Sequence, residues 1–287
     1  MTSPRTLLTA WNIQAKRQLG QNFLRDAGVA RQIVAHAALA GHEVVLEIGA
    51  GLGAITLPAA SHARRLIAVD RDRQLIGLLR AELLAAGIDN VEIREADILQ
   101  LDLEAVAHAA GQPLVVMGNL PYNISSQVIV KLIQARNHVD RAVLMLQKEM
   151  ARRICAGPGS KTYGRLSVML QYCAQAHELM QVKAARFFPA PKVDSTVIGI
   201  RFSATPPVPA VDEALLFRVI KAAFGKRRKT LRNALSQSDL KLDTEASERL
   251  LNQSGIDPVR RAETLSVAEF VALSNAIGAA VPAPPHT

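Results

Sequence analysis

Val44-Val45-Leu46-Glu47-Ile48-Gly49-Ala50-Gly51-Leu52-Gly53 is the stretch on which the fold turns. A run of five residues, apolar but for Glu47 and rich in β-branched side chains, reads as a buried strand, and the three glycines that follow read as a tight turn into a helix. Glycine suits that turn because the chain must reverse sharply and let a ligand approach its backbone with no Cβ in the way. The same residues fit Gly49-x-Gly51-x-x-Ala54, the dinucleotide fingerprint, so the loop alone leaves the choice of nucleotide-bearing cofactor open.

Outward from the loop, apolar strand-like runs alternate with helical spacing. Strands are expected over 44–48, 66–70, 91–95, 114–118, 142–147 and 193–202, and helices over 27–40, 53–62, 71–86 and 126–136. That alternation predicts α/β architecture, a mostly parallel sheet covered on both faces. A proline-rich run, SATPPVPAV, then predicts a linker over 204–211. Beyond it the periodicity is helical. The expected organisation is a first domain over 1–203 with a basic N-terminal segment, a small all-helical domain over 212–278, and a disordered tail over 279–287.

Composition narrows the partners. The 287 residues are 49% hydrophobic, enough for a sizeable core, and 34 Lys and Arg against 25 Asp and Glu leave a formal charge of +9. That excess favours a polyanion such as nucleic acid. Cys155 and Cys173 are too few for a disulfide framework, and the seven histidines form no HxxxH or HExxH pair, so no metal signature is read. The N-terminal MTSPRTLLTAWNIQAKRQLG fits neither a signal peptide nor a membrane anchor, which makes the cytoplasm the expected location.

The strand ends carry the candidate chemistry. Asp70 stands where a carboxylate can accept from ribose hydroxyls, and Asp97 where one can accept from an adenine edge; each has a plainer reading, as a solvated acid or a helix cap. The fourth strand end, Gly118-Asn119-Leu120-Pro121-Tyr122-Asn123-Ile124-Ser125, separates the cofactors. Adenine N6 is a weak nucleophile because its lone pair is delocalised into the ring. Acceptors for both N6 hydrogens would hold it and favour tetrahedral geometry. The Asn119 side-chain oxygen and the Leu120 carbonyl suit that task, Pro121 stiffens the turn, and Tyr122 offers a face for a flipped base. A nicotinamide or flavin enzyme needs none of this.

With these motifs in order, the chain resembles the ribosomal RNA adenine N6,N6-dimethyltransferases of the KsgA type. The resemblance runs from Gln21-Asn22-Phe23-Leu24 through the glycine loop, Asp70, Asp97 and Asn119-Leu120-Pro121-Tyr122 to Phe187-Phe188-Pro189-Ala190-Pro191-Lys192-Val193-Asp194-Ser195. It continues into Lys226-Arg227-Arg228-Lys229-Thr230-Leu231-Arg232-Asn233. It implies a Rossmann-like class I methyltransferase domain and S-adenosylmethionine as cofactor, with S-adenosylhomocysteine as product and no metal. By the same resemblance, Gln21, Asn22 and Leu24 close over the methionine end, and Glu47, Gly49 and Gly51 shape its pocket. Asp70 holds the ribose, Asp97 the cofactor's adenine, and Asn119 serves both cofactor and target. Phe188, rather than Phe187, covers the target base opposite Tyr122. Lys226, Arg227, Arg228, Lys229 and Arg232 contact RNA, joined by Arg5, Lys16, Arg17 and Arg25. The implied reaction dimethylates two adjacent adenines near the 3′ end of 16S rRNA, in a late pre-ribosomal particle, by a monomeric enzyme. A large-subunit methyltransferase of the resistance type, a non-catalytic assembly factor and a nicotinamide oxidoreductase are the competing readings.

Overall fold

The computed structural model describes residues 2–226 and 228–280. Arg227 of the basic run and residues 281–287 of the expected tail lie outside the described residues, as does the side chain of Arg17. In chain order the elements are α1 (Pro4–Ala10), β1 (Phe23–Leu24), α2 (Ala27–His36), β2 (Val44–Ile48), α3 (Thr56–Ala60), β3 (Arg65–Asp70), α4 (Arg73–Ala85), β4 (Val91–Glu95), α5 (Leu103–Ala110), β5 (Leu114–Asn119), α6 (Ser125–Gln134) and β6 (Val139–Gln147). There follow α7 (Lys148–Cys155), α8 (Arg165–Cys173), β7 (Ala174–Val182), β8 (Phe187–Phe188), β9 (Ser195–Phe202), α9 (Glu213–Gly225), α10 (Leu231–Ser236), α11 (Thr244–Gln253) and α12 (Val267–Ala280).

The chain divides into two compact units. Met1–Ala151 with Gln175–Ser203 forms the first, around a seven-stranded sheet ordered β4-β3-β2-β5-β6-β9-β7. β4, β3, β2, β5 and β6 run parallel, and β9 is antiparallel to β6. β2 is buried at all five positions, which is why its sequence does not alternate and is apolar everywhere but at Glu47. At the edge, β4 carries Glu92 paired with Arg65 and Arg94, charges that keep an exposed strand from pairing with another chain. Asp26 starts α2 by accepting from the Gly28 and Val29 N–H groups and also pairs with Arg186, fastening the helix to the segment before β8.

Three strands were not expected, β1, β7 and β8. β7 carries polar residues at exposed positions, so its alternation is weak. β1 and β8 are two residues each and pair antiparallel, Phe23 opposite Phe188 and Leu24 opposite Phe187. The QNFL and FFPAP motifs therefore meet in one small sheet.

Arg152–Ala174 and Ala204–Thr287 form the second unit, so residues 152–174 leave the stretch read from sequence as one domain over 1–203. Its core gathers Tyr163, Phe224 and Phe270, with ring centroids 6.3 and 5.9 Å apart along that chain of contacts. The expected linker is fastened: the Ala210 N–H donates to the Tyr172 hydroxyl and the Val211 N–H to Asn275 Oδ1. α12 carries the helix on to Ala280, so residues 279 and 280 of the expected tail are helical. Among the described residues, no helix is long and apolar enough to cross a membrane.

Candidate active site

β2 and β5 lie side by side, yet the chain runs outward from them in opposite directions, to β3 and β4 on one side and β6 on the other. Helices crossing over on opposite faces open a crevice at the carboxyl ends of these strands, where α/β sheets take their ligands. The crevice encloses about 880 Å³ including its open mouth. Gln21, Asn22, Leu24, Glu47, Gly49, Gly51, Asp70, Asp97, Asn119 and Pro121 all line it, so sequence positions a hundred residues apart converge on one cleft.

The glycine loop is held from β3. Gly49 and Gly51 have φ of 72° and 54°, in the left-handed region that favours glycine. The Gly49 N–H donates to the Val69 carbonyl at 2.8 Å, and the Gly51 N–H to Asp70 Oδ2 at 2.9 Å. Asp70 Oδ1 accepts from the Asp72 N–H, so this carboxylate braces the loop from one oxygen and the start of α4 from the other. Burial pushes the Asp70 carboxyl up, while those N–H groups pull it back. Each oxygen accepts one of these bonds and keeps a further lone pair, and Asp70 lines the cleft. Asp97 is likewise half-engaged: Oδ1 accepts from the Leu99 N–H, and Oδ2 lies 3.8 Å from Arg71.

Glu47 is 2% exposed, its Oε2 has no hydrogen-bond partner, and it faces the same cleft. Burial pushes its carboxyl up to about 8; Thr56 opposes that rise and the neighbouring Asp70 adds to it. An orphaned acid beside a glycine cradle fits a ligand that brings positive charge.

Two residues missing from the expected set do structural work here. Asp72, 3% exposed, accepts from Lys16 Nζ at 2.9 Å and from Gln21 Nε2 at 2.8 Å. Burial opposes ionisation, but these two donors hold the Asp72 carboxyl low. Gln21 Oε1 accepts from the Lys16 N–H, so the Gln21 side chain ties the N-terminal segment to α4. Gly118 is the second: a Cβ there would lie 2.4 Å from the Ile48 carbonyl oxygen. Both were visible in the sequence, as the second acid of Asp70-x-Asp72 and the residue before Asn119.

Asn119 Nδ2 donates to the Asn22 carbonyl at 3.0 Å, and its Oδ1 accepts nothing among the described residues. The Leu120 N–H donates to the Met145 carbonyl at 3.1 Å, which fixes the peptide whose carbonyl follows. Leu120, Tyr122 and Phe188 do not line the cleft itself. The Tyr122 hydroxyl lies 3.1 Å from Ser195 Oγ, and burial pushes the phenol up. Phe187 is 2% exposed within the main core, whereas Phe188 is half-buried against Phe23 and the apolar cluster of α1.

Lys226, Arg228 and Lys229 lie in the second unit between α9 and α10, and Arg232 lies in the first turn of α10. Lys226 donates to Gln237, and Arg232 pairs with Glu248 at 2.9 Å. Arg228 and Lys229 are exposed and carry no ion pair among the described residues.

The chain is similar to known proteins over nearly its full length. The family described as Ribosomal RNA adenine dimethylase matches residues 12–277. A "Ribosomal RNA small subunit methyltransferase A" of Desulforapulum autotrophicum is 50% identical, covering 96% of this chain and 97% of its own. One of the same description from Geobacillus thermodenitrificans is 42% identical over 94% of each. Among solved structures, a dimethyladenosine transferase from Plasmodium falciparum superposes with a TM-score of 0.75 at 25% identity, over 88% of this chain and 95% of that one. The 23S rRNA methyltransferase ErmE gives 0.69 at 25% identity, over 89% and 99%. The chain belongs to the ribosomal RNA adenine dimethylase family, whose members are S-adenosylmethionine-dependent methyltransferases.

Proposed function

We propose that this chain methylates N6 of two adjacent adenines near the 3′ end of 16S rRNA, twice each, in a late pre-ribosomal particle in the cytoplasm, as a monomer and without a metal. The observation that carries the reading is the free Asn119 Oδ1, held at the mouth of a glycine-cradled cleft by the bond from Nδ2 to Asn22. The small-subunit target rests on the relatives' descriptions.

The sulfonium of bound S-adenosylmethionine supplies the activated methyl group, so the protein's part is position rather than nucleophilic catalysis. Gly49 and Gly51 provide the cradle, with Glu47 balancing positive charge beneath it. Gln21, Asn22 and Leu24 cover the methionine end. Asp70 accepts from the ribose and Asp97 from the cofactor's adenine. Asn119 Oδ1 and the Leu120 carbonyl accept the two N6 hydrogens of the target, which favours tetrahedral nitrogen and frees its lone pair for in-line attack. Pro121 keeps the two acceptors in register, and Tyr122 and Phe188 stack on the flipped base. The nitrogen becomes acidic as it gains the methyl, and its proton passes to water. In the second unit, Lys226, Arg227, Arg228, Lys229 and Arg232 contact RNA phosphates, which makes affinity fall steeply with salt.

The test is incubation with labelled cofactor and undermethylated small subunits, followed by digestion of the RNA. Label recovered as N6,N6-dimethyladenosine supports the reading. Label in cytosine, in adenine carrying one methyl at completion, or preferentially in large subunits overturns it.

A further inference from the structure

The seven histidines form no metal-binding pair in sequence, but folding brings two of them to one carboxylate. Glu104 and His108 lie one turn apart on α5, and His138 ends the 3₁₀ turn that leads into β6. His108 Nε2 is 3.5 Å from Glu104 Oε1, His138 Nε2 is 3.6 Å from the same oxygen, and all three ligand atoms lie within 4.8 Å of one another. The two imidazole rings stand 5.3 Å apart, tilted by 57°.

We propose that Glu104, His108 and His138 form a binding site for a divalent transition-metal ion of the Zn²⁺ class, separate from the methyl-transfer cleft. The distances favour this over a hydrogen-bonded cluster. An N–H···O bond wants about 2.7–3.2 Å, which both contacts exceed. Ligands at about 2.0–2.1 Å from a tetrahedral ion stand roughly 3.3 Å from one another, close to what two of the three pairs already show. The third pair, the two histidine nitrogens, lies within 4.8 Å. Two imidazoles and a carboxylate are a donor set that zinc accepts, with water in the fourth position. The Glu104 and His108 side chains are 64% and 69% exposed, so an ion reaches them freely.

The site's place in the fold gives its role. α5 leads into the amino end of β5, and the 3₁₀ turn into the amino end of β6, whereas the cleft opens at the carboxyl ends. The six residues of β5 alone span about 20 Å between the two. A metal here pins α5 to the start of β6 and stabilises the sheet unit without touching the reaction.

The experiment uses the full, untagged chain stripped with a chelator and titrated with Zn²⁺ by calorimetry, then with Co²⁺ read by its visible absorption. One ion per chain, tetrahedral Co²⁺ bands and a raised Tm are expected. His108→Ala, His138→Ala and Glu104→Gln should each weaken binding by at least about tenfold, and His62→Ala should not. His62, Glu104 and His108 are exposed and His138 is partly buried, its side chain 25% exposed, all outside the cleft, so methyl transfer should persist in all four variants. Absence of saturable Zn²⁺ binding, or equal binding by the His108→Ala/His138→Ala double variant, overturns the proposal and leaves the methyltransferase reading intact.

Discussion

Asn119 Nδ2 donates to the backbone carbonyl of Asn22 at 3.0 Å, joining the tip of β5 to the segment before β1 across 97 positions of sequence. An amide so held cannot rotate to exchange its oxygen for its nitrogen. Asn119→Ala should therefore bind cofactor nearly as the parent does but lose about a hundredfold or more in single-turnover methyl transfer, since both an acceptor and its alignment go. Asn119→Asp should not rescue it, because the carboxylate would face the Asn22 carbonyl with no proton to donate. A single-turnover rate for Asn119→Ala within a few-fold of the parent would remove this residue from the mechanism.

Gly118 sits opposite Ile48 in the parallel ladder of β2 and β5. A methyl group at Gly118 would meet the Ile48 carbonyl oxygen at 2.4 Å, and the obstacle is backbone, which cannot rotate aside. Gly118→Ala should force the two strands apart where the cleft opens, with a stability loss of about 1–3 kcal/mol, as overpacked cores show. Calorimetric unfolding and cofactor titration should report a lower Tm and a weakened Kd together. A Tm equal to the parent's would mean that the strands accommodate the methyl.

Much of this site was legible in the sequence because its parts lie at strand ends and at loops whose residue types are narrowly constrained. The Gly49 and Gly51 turn, Asp70, Asp97 and Asn119 all meet in the cleft. What was not legible depends on pairings distant in sequence or on very short elements. β1 and β8 have no periodicity to detect in two residues apiece. β7 alternates too weakly, and residues 152–174 leave the sheet unit with no change of composition to mark the departure. Two histidines thirty positions apart give no spacing signal, although α5 and the turn before β6 bring their rings to 5.3 Å.

Asp72 is the tether of the N-terminal segment. Its buried carboxylate receives Lys16 Nζ and Gln21 Nε2, and Gln21 in turn receives the Lys16 N–H. Asp72→Ala should strand both donors and loosen residues 16–22, of which Leu19 to Asn22 line the cleft. The expected result is faster tryptic cleavage at Arg17 and cofactor affinity lower by about tenfold. Unchanged cleavage and affinity would show that the segment is held by its apolar contacts alone.

The Glu47 carboxyl, raised from 4.5 to about 8, makes a pH prediction with a definite sign. Between those values the folded chain keeps a proton that the unfolded chain has lost. Stability is thus full below pH 4.5 and falls as pH rises towards 8, by at most about 5 kcal/mol from this one group. Asp70, also raised by burial, acts in the same direction. Glu47→Gln should flatten the decline of unfolding free energy between pH 5.5 and pH 8.5, as measured by denaturant titration (about 1.4 kcal/mol per pH unit for a full proton). If the variant declines as steeply as the parent, Glu47 is ionised in the folded chain throughout that range.

Phe187 and Phe188 are adjacent, and the strand they form turns successive side chains to opposite sides. Phe187 is buried with Leu24, Ile33 and Met117 in the sheet core, and Phe188 is half-buried beside Phe23. Truncating them should separate stability from catalysis. Phe187→Ala should lose about 3–5 kcal/mol of folding stability through the cavity it leaves. Phe188→Ala should keep most of its stability yet weaken the hold on the flipped base by about 1–3 kcal/mol, a factor of about five to 150 in kcat/KM for ribosomal substrate. Tyr122 supplies an internal comparison: its ring is held by the contact between its hydroxyl and Ser195 Oγ at 3.1 Å. Tyr122→Phe keeps the stacking face and should lose little, whereas Tyr122→Ala should behave as Phe188→Ala does. Equal kcat/KM for Phe188→Ala and the parent, with folding intact, would assign Phe188 to packing and leave Tyr122 as the lone stacking face for the base.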